Sequence, residues 1–524
     1  NNLTVDRSAA MTITSGDTII VTGTLTLTNG SINTGVIDAR TNISQAATFD
    51  GGTGIIDFGD DGVVQTYTIN GGIGPVLRLD SAADASDSLI FAAAGELDGL
   101  TITSGFSGTI PITNASDFAM TTSDWTQAAG TFNGASFSQL TIDDDLTISG
   151  GTFNAPTTVI AGGNITSVFD VNSTQTFNNL TINGHVSGSF SLGSAADTLV
   201  VTGTLTMNSG AMNTGVIKAQ GALVHTAAID GGTMIVDFDG AGAQTLTISG
   251  GLFPVIRFDA AADASDSLVV TAASTINGLT TTSGFSGTVP FTNSGDNVIT
   301  LSAVTLGGGT LDLSATSTVE MGDFIQTGSA VFTAPVTLNF SQGSPSYSVD
   351  VTQDLNDVTV NAASFAIGAG DIMTVLGDYT CTNGSSSGGT LEARGDYIMA
   401  AGCDISIIPV LFSGSGTQSF ADNTASHLLL DSDVTVNKSG GQVNVTSTLD
   451  FDASGQSLTI QEGTFNLNGQ TLIIDGTLGE LVVEDGGNFQ LQGAETITTT
   501  SSTLASGSTV TYTGNGNVVP IPTQ

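Results

Sequence analysis

Residues 174–182 read Thr-Gln-Thr-Phe-Asn-Asn-Leu-Thr-Ile, a glutamine motif that leads directly into an alternating polar and apolar run. The second half of this stretch, which begins at Asn178, returns at 1–5 and at 356–360, so its three copies are almost evenly spaced along the chain. Repeats of this length must be identified before any local pattern is interpreted. The chain is expected to contain three repeat units, the third of them divergent, at 1–177, 178–355 and 356–524.

A shorter period lies inside each repeat. Gly-Thr-Phe at Gly130 recurs at Gly151, and Gly-Thr at Gly287 recurs at Gly309. Between such turns run segments like Thr24–Thr28, in which Thr alternates with apolar residues as in a half-buried strand. This nested period predicts an all-β fold, a parallel β-solenoid with coils of about 22 residues. Roughly 24 coils spaced ~4.8 Å apart would form one continuous rod about 115 Å long.

Tandem β-sandwich domains are the alternative all-β fold. Their units are near ~100 residues, with turns every 8–12 residues. A short, regular period within a much longer repeat favours the solenoid instead, because each stacked coil contributes one such period.

The charge balance excludes several classes of partner. Seven Lys+Arg against 48 Asp+Glu give a net charge of −41. A nucleic-acid-binding protein needs clustered basic residues to displace counterions, and this chain has too few to cluster. The same shortage disfavours docking on an anionic membrane. No apolar run approaches the ~18 residues that a membrane span requires, so neither nucleic acid nor a membrane span is expected.

Two further runs show a family resemblance. Residues 150–156, Gly-Gly-Thr-Phe-Asn-Ala-Pro, and 162–166, Gly-Gly-Asn-Ile-Thr, resemble the repeats of very large secreted bacterial surface proteins, as does 174–182. These proteins are similar to adhesins of the filamentous-haemagglutinin type. The resemblance lies in the type of repeat and extends over the whole chain. It implies a right-handed parallel β-solenoid and a bacterial, extracellular or cell-surface location.

The two ends of the chain fit together as parts of one repeat. Thr523 and Gln524 stop just before the point at which the earlier repeats continue into the next one, and Asn1, Asn2 and Leu3 match that continuation. Open, complementary ends predict a head-to-tail contact between copies, which generates a filament. The alternative is that these residues are part of a longer repetitive chain, which continues covalently at both ends as a fibre.

The expected function follows from these features. A non-catalytic extracellular structural protein that forms a head-to-tail filament or a long surface fibre fits them best. The alternative is an adhesin stalk or a carbohydrate-binding β-helix, whose contact would be a glycan or a cell surface. The many Thr-x-Thr pairs allow an outward hydroxyl array of the ice-binding or carbohydrate-contacting kind, although Thr is also simply a good outward strand residue.

An aspartate series is shared by the first two repeats and suggests a metal site. Oxygen ligands around a turn suit calcium, but the spacing matches neither an EF-hand loop nor the glycine-rich nonapeptide calcium repeat, and Asp also favours turns for local reasons. Calcium is therefore a candidate cofactor, and no other is expected. The residues are Asp80, Asp84 and Asp87, with Asp259, Asp263 and Asp266 at the matching positions.

Arg78 and Arg257 each stand two positions before an Asp of this series. We expect each arginine to pair locally with that Asp. The third repeat has Leu429 at this position, which argues against a shared catalytic role.

The two cysteines lie one coil apart. Cys381 and Cys403 replace inward-facing apolar residues of the other repeats. Adjacent inward positions on stacked coils are close enough for a disulfide, and free thiols packed as small apolar residues are the alternative.

The sequence offers no set of catalytic residues. The three histidines occupy unrelated repeat positions and have no ligand or triad spacing, and the seven basic residues are scattered. We therefore expect no enzymatic activity. The histidines are His185, His225 and His427.

Overall fold

The fold is seen in a computed structural model that describes residues 1–59, 64–83, 86–110, 112–114, 116–163, 166–184, 187–424, 432–451 and 453–514. Within these residues the chain forms stacked coils whose strands pair in parallel, and the only helix is a single 3-10 turn at Gly134–Ser136. The predicted β-solenoid is confirmed. Tandem β-sandwich domains, the alternative, are wrong, because a sandwich is built from antiparallel sheets.

Inward-facing side chains of successive coils stack directly on one another. One column runs through Ile37, Ile56, Leu77, Leu100 and Trp125, which pair in register between neighbouring strands. All five are essentially inaccessible to solvent. The number of residues in the chain between neighbouring members of the column increases steadily. It is smallest between the first two members and largest between the last two. The coil length predicted from the sequence is therefore an average over coils whose turns differ in length.

The chain divides into two compact units, 1–266 and 267–524. The division falls inside the second sequence repeat, so the repeat boundaries and the compact units do not coincide. The strands of the first unit are β1 (Leu3–Asp6), β2 (Met11–Thr12), β3 (Thr18–Val21), β4 (Leu25–Asn29), β5 (Ile32–Asn33), β6 (Val36–Ala39), β7 (Ile43–Gln45), β8 (Ile55–Phe58), β9 (Thr66–Ile69), β10 (Ile73–Gly74), β11 (Val76–Leu79), β12 (Ser88–Phe91), β13 (Gly95–Ile102), β14 (Thr109–Ile110), β15 (Ile112–Asn114), β16 (Met120–Gln127), β17 (Thr131–Asn133), β18 (Gln139–Ile142), β19 (Leu146–Ile148), β20 (Thr152–Asn154), β21 (Thr158–Ala161), β22 (Thr166–Val171), β23 (Thr174–Phe177), β24 (Asn179–Asn183), β25 (Ser189–Leu192), β26 (Thr198–Val201), β27 (Leu205–Met212), β28 (Val216–Ala219), β29 (Leu223–Ile229), β30 (Ile235–Phe238), β31 (Thr245–Ile248) and β32 (Gly251–Phe258).

The second unit contains several longer strands that bend at bulges. Its strands are β33 (Ser267–Val270), β34 (Ser274–Thr281), β35 (Thr288–Asn293), β36 (Ile299–Leu306), β37 (Thr310–Asp312), β38 (Thr318–Gln326), β39 (Val331–Thr333), β40 (Thr337–Phe340), β41 (Ser346–Val349), β42 (Gln353–Leu355), β43 (Asp357–Val375), β44 (Tyr379–Ala393), β45 (Tyr397–Ile407), β46 (Val410–Phe412), β47 (Gln418–Asp422), β48 (Val434–Val445), β49 (Leu449–Phe451), β50 (Ser457–Asn466), β51 (Leu472–Ile474), β52 (Glu480–Val483), β53 (Gly487–Leu491), β54 (Ile497–Thr499), β55 (Ser502–Leu504) and β56 (Thr509–Tyr512).

A glycine bends the chain at the same position in all three repeats. Gly30, Gly210 and Gly384 have φ angles of 88°, 89° and 82°, in the left-handed region that side chains disfavour. At Gly384 a Cβ atom would lie 1.8 Å from the carbonyl oxygen of Ala362 in the neighbouring coil. The close approach of two coils therefore requires glycine at this position.

Replacement of this glycine tests the requirement. We expect Gly384→Ala to lower the free energy of unfolding by about 2–4 kcal/mol, because the new Cβ both strains the backbone and overlaps the next coil. Gly416→Ala is the matched control, since a Cβ there meets no atom within 4 Å. Urea unfolding followed by circular dichroism measures both variants. Equal stability of the two would contradict this account of the bend.

Candidate functional site

The outward faces of the coils carry charged side chains at matching positions in the first two repeats. In the first repeat Asp38, Asp57 and Arg78 occupy successive coils in register. Ion pairs between coils are thus arranged by the same register that stacks the core. We call the set Asp38, Arg40, Asp57 and Arg78 the first charge ladder.

The first charge ladder contains two ion pairs. The Arg78 guanidinium donates to Asp57 Oδ2 at 2.5 Å, and Arg40 donates to Asp38 Oδ2 at 3.0 Å. Burial raises the pKa of Asp57, and the hydrogen bond from Arg78 opposes that rise. The ladder thus places a buried carboxylate against an arginine whose hydrogen bond favours the charged form of that carboxylate.

The second repeat carries the corresponding second charge ladder. Lys218, Asp237 and Arg257 lie in register on successive coils, and Asp239 and Asp259 adjoin them. Arg257 donates to Asp237 Oδ2 at 2.7 Å, and Lys218 Nζ lies 2.9 Å from Asp239 Oδ1 and 3.9 Å from Asp237 Oδ2. Asp237 is fully buried, and desolvation raises the pKa of its carboxyl against the hydrogen bond from Arg257.

The arginine pairs differ from the sequence expectation. Arg78 and Arg257 pair with an Asp of the preceding coil rather than with Asp80 and Asp259, so the expected local pairs are wrong. Spacing along the chain does not prevent a local pair, since Arg40 pairs with Asp38 two positions away. The register instead places Asp57 and Asp237 directly opposite these arginines on the neighbouring coil, about 4.8 Å away. Asp80 and Asp259 accept from turn amides. The sequence does hold a signal, since each pair spans one coil.

Three carboxylates of the second charge ladder come close together. Asp237, Asp239 and Asp259 each place an oxygen within 4.8 Å of the other two. These are the residues best placed to hold a metal ion in the described part of the chain. The Lys218 ammonium already lies beside two of them, so a cation is supplied by the chain itself. This arrangement acts as a charge-neutralising contact between coils.

The predicted calcium residues serve mainly as turn acceptors. Asp80 Oδ1 accepts from the Ala82 amide at 2.7 Å, as Asp259 Oδ1 does from the equivalent amide two positions on. Asp263 Oδ1 accepts from the Ser265 amide at 2.8 Å. These are Asx turns, the local alternative weighed against calcium. Asp84 lies outside the described residues.

The last residues of the series join two coils. Asp87 and Asp266 are buried, and each accepts from the backbone amide of the glutamine that opens the preceding coil, Gln65 or Gln244, at 2.7 Å. No three described members of the series form one carboxylate cluster. Calcium binding by the series stays a prediction, without a gathered site to support it.

A second glutamine, distinct from Gln175, recurs at one position of all three repeats and has a structural role that the sequence did not reveal. Gln65, Gln244 and Gln418 are buried, and each side-chain amide donates to one or more backbone carbonyls at the coil's corner. The motif is therefore an internal clamp for a turn. In the third repeat, the buried Lys438 Nζ donates to the side-chain oxygen Oε1 of Gln418 and to the backbone oxygen of Ser413.

The structure joins Cys381 to Cys403 in a disulfide, the pair expected from their spacing. Their Cα atoms are 5.8 Å apart. Cys381 lies opposite Met399 in the next coil, and Cys403 lies opposite the bend glycine Gly384. The missing side chain at the bend leaves room for the bond to cross between coils.

His225 occupies a core position that is polar in two repeats. The first repeat has Gln45 there, bonded to the Tyr67 hydroxyl and to Gly71 O. In the second repeat neither imidazole nitrogen has a hydrogen-bond partner, and the ring packs against Phe253 with centroids 5.1 Å apart. Desolvation lowers the pKa of His225 to about 4. His185 and His427 lie outside the described residues.

Of the two predicted polymer ends, only the one at Asn1, Asn2 and Leu3 lies within the described residues. The amino group of Asn1 bonds Thr22 Oγ1, the Asn2 side chain accepts from the Thr24 amide at 3.0 Å, and Leu3 pairs with Leu25. Thr523 and Gln524 lie outside the described residues. Their proposed contact with Asn1, Asn2 and Leu3 of another copy stays a prediction.

Comparison of the chain with protein-family models, with curated proteins and with solved structures finds no match. In the described part of the chain, no helix is long and apolar enough to cross a membrane.

Removal of the buried carboxylate tests the second charge ladder. We expect Asp237→Leu to lower the free energy of unfolding by about 1–3 kcal/mol, because the partly buried Arg257 loses its hydrogen-bonded carboxylate. Arg394→Met is the control. That arginine is 41% exposed in its pair with Glu392, and its loss is expected to cost under ~1 kcal/mol. A small effect of Asp237→Leu in denaturant unfolding would refute the structural role.

The buried imidazole predicts acid sensitivity. The pKa of His225 is about 4 in the folded protein against an ordinary value of 6.5, so the unfolded state binds the proton more tightly. Stability is therefore lost as pH falls from 6.5 to about 4, by about 3 kcal/mol in total. His225→Met, which copies Met399 of the third repeat, is expected to remove this loss.

Buried carboxyl groups, among them Asp266, also contribute to the pH profile of the parent protein. Burial raises the pKa of Asp266 to about 6, so its contribution is lost as pH rises from about 4 to 6. The measurement is therefore the difference in unfolding free energy between His225→Met and the parent across this range. A difference that does not change with pH would contradict the histidine assignment.

Proposed function

We propose that the chain is a non-catalytic extracellular structural protein, a segment of a filament or long surface fibre of a bacterial cell. The observation that carries the proposal is the contact made by the motif that opens each repeat. Asn2, Asn179 and Asp357 each accept, through Oδ1, the backbone amide of the next coil at 3.0, 2.7 and 2.9 Å. A motif that joins coils in the same way in every repeat is suited to indefinite continuation.

The junctions between repeats support the same proposal. Phe177 ends the first repeat in a strand that pairs with Thr198–Val201, and the next strand pairs with coils on both sides. At the second junction, Leu355 pairs with Val375, and Asp357 pairs with Thr337. Neither junction interrupts the hydrogen-bonded ladder. One repeat is therefore able to follow another without a linker, which a fibre requires.

The surface chemistry is consistent with a passive role. The cationic groups of the charge ladders are engaged by carboxylates, as in Arg257 with Asp237 and Arg78 with Asp57. The remaining excess of acid gives the chain its charge of −41, and mutual repulsion keeps such surfaces solvated and apart.

Labelling of the producing cells tests the proposed function. An antibody raised against the purified chain is expected to decorate extracellular fibres in immunogold electron microscopy, and antibody absorbed with the chain is the control. Diffraction from isolated fibres is expected to show an axial spacing of about 4.8 Å. Label confined to the cytoplasm would overturn the proposal. Label on cells without fibres, with specific glycan binding by the purified chain, would favour the adhesin alternative.

A further inference from the structure

An uncharged array of short side chains covers one face of six successive coils in the first unit. Its inner column pairs in register from coil to coil, and its outer column lies two positions earlier in each coil, on the strand or just before it. None of the twelve side chains is buried. We call these twelve residues the threonine face: Thr141, Ile160, Thr181, Thr206, Val224 and Thr247 in the inner column, and Gln139, Thr158, Asn179, Thr204, Ala222 and Thr245 in the outer column.

The absence of charge distinguishes this face from comparable ones. The chain has 7 basic and 48 acidic residues, yet none lies among the twelve. Another outward column of the same unit holds the second charge ladder, with Asp237 between Lys218 and Arg257. In the second unit, a similar threonine column contains Glu320 and is flanked by Asp357. Within these six coils both columns are thus free of charge, although Asp143 follows Thr141 and the inner column reaches Glu96 two coils before Thr141.

The spacing of the array is fixed in two directions. Parallel coils repeat at about 4.8 Å, and side chains two positions apart on a strand repeat at about 6.6 Å. The first value is close to the shorter repeat of water on the prism plane of hexagonal ice, and the second is somewhat smaller than the longer repeat of that plane. Register is continuous across the inner column, with no bulge between Leu205–Met207 and the coils on either side. The inner column is therefore regular over all six coils, and the outer column pairs in register over its first three.

We propose that the threonine face binds ice. Threonine holds a hydroxyl and a methyl group at fixed positions, because its branched side chain has few rotamers on a strand. The hydroxyl group hydrogen-bonds ordered water. The methyl group forms no hydrogen bonds, so it does not disturb the lattice of that water. A charged side chain would instead hold its own hydration shell. Many weak contacts at matched spacing add to a strong one. This activity goes beyond the fibre role and does not depend on it.

A lysine in the middle of the face tests the proposal. The purified full chain is expected to give thermal hysteresis and to inhibit ice recrystallisation. Thr206→Lys is expected to lose both activities, because the long ammonium side chain stands above the array. Thr359→Lys is the matched control, since Thr359 lies between Asn339 and Thr380 in the charged column of the second unit. That variant is expected to keep both activities.

Stability and self-association are measured on the same samples. If Thr206→Lys lowers the unfolding midpoint, Thr181→Lys, one coil away, replaces it. Absence of ice activity in the parent chain overturns the proposal, as does equal activity of Thr206→Lys and the parent. If the parent is inactive on ice and Thr206→Lys instead reduces self-association in sedimentation velocity, the threonine face is a contact between copies.

Discussion

The structure depends on one constraint, that each coil must satisfy its backbone hydrogen bonds with the coils above and below it. Strands do this through parallel ladders, but at the corners the backbone leaves the ladder and its amides need other acceptors. Asparagine and aspartate side chains supply them. In the third repeat the Asp357 side chain accepts from the Asp378 amide, Asp378 from Asp396, and Asp396 from Ser419, at 2.7–2.9 Å.

This role explains how a chain with 48 acidic and 7 basic residues folds. Many carboxylates act as acceptors for backbone amides and need no cationic partner. Three of the basic residues, Arg78, Lys218 and Arg257, lie beside a carboxylate that is buried between coils, as Arg257 is beside Asp237. A buried carboxylate of this kind is costly without its partner. The acidic excess and the sparse ion pairs thus follow from the same coil-to-coil contacts.

The sequence predicts the solenoid, its mean coil length and the cysteine pair, because each of these depends on a period that recurs along the chain. It does not predict the partners of Arg78 and Arg257, because coil lengths vary and a partner is set by register rather than by nearness in sequence. The recurrence of the clamp glutamine was visible in the sequence, but the inward direction of its side chain was not. The threonine face requires the register of six coils, which alternation alone does not give.

Continuity of the ladder across the repeat junctions is the central claim, and native-state hydrogen exchange measures it most directly. Amides in peptides that span 174–183 and 353–360 are predicted to exchange as slowly as those of mid-repeat strands such as Val216–Ala219, because all of them are bonded between coils. Rapid exchange at the junctions, with protection confined to the interior of each repeat, would show separate domains and contradict the account.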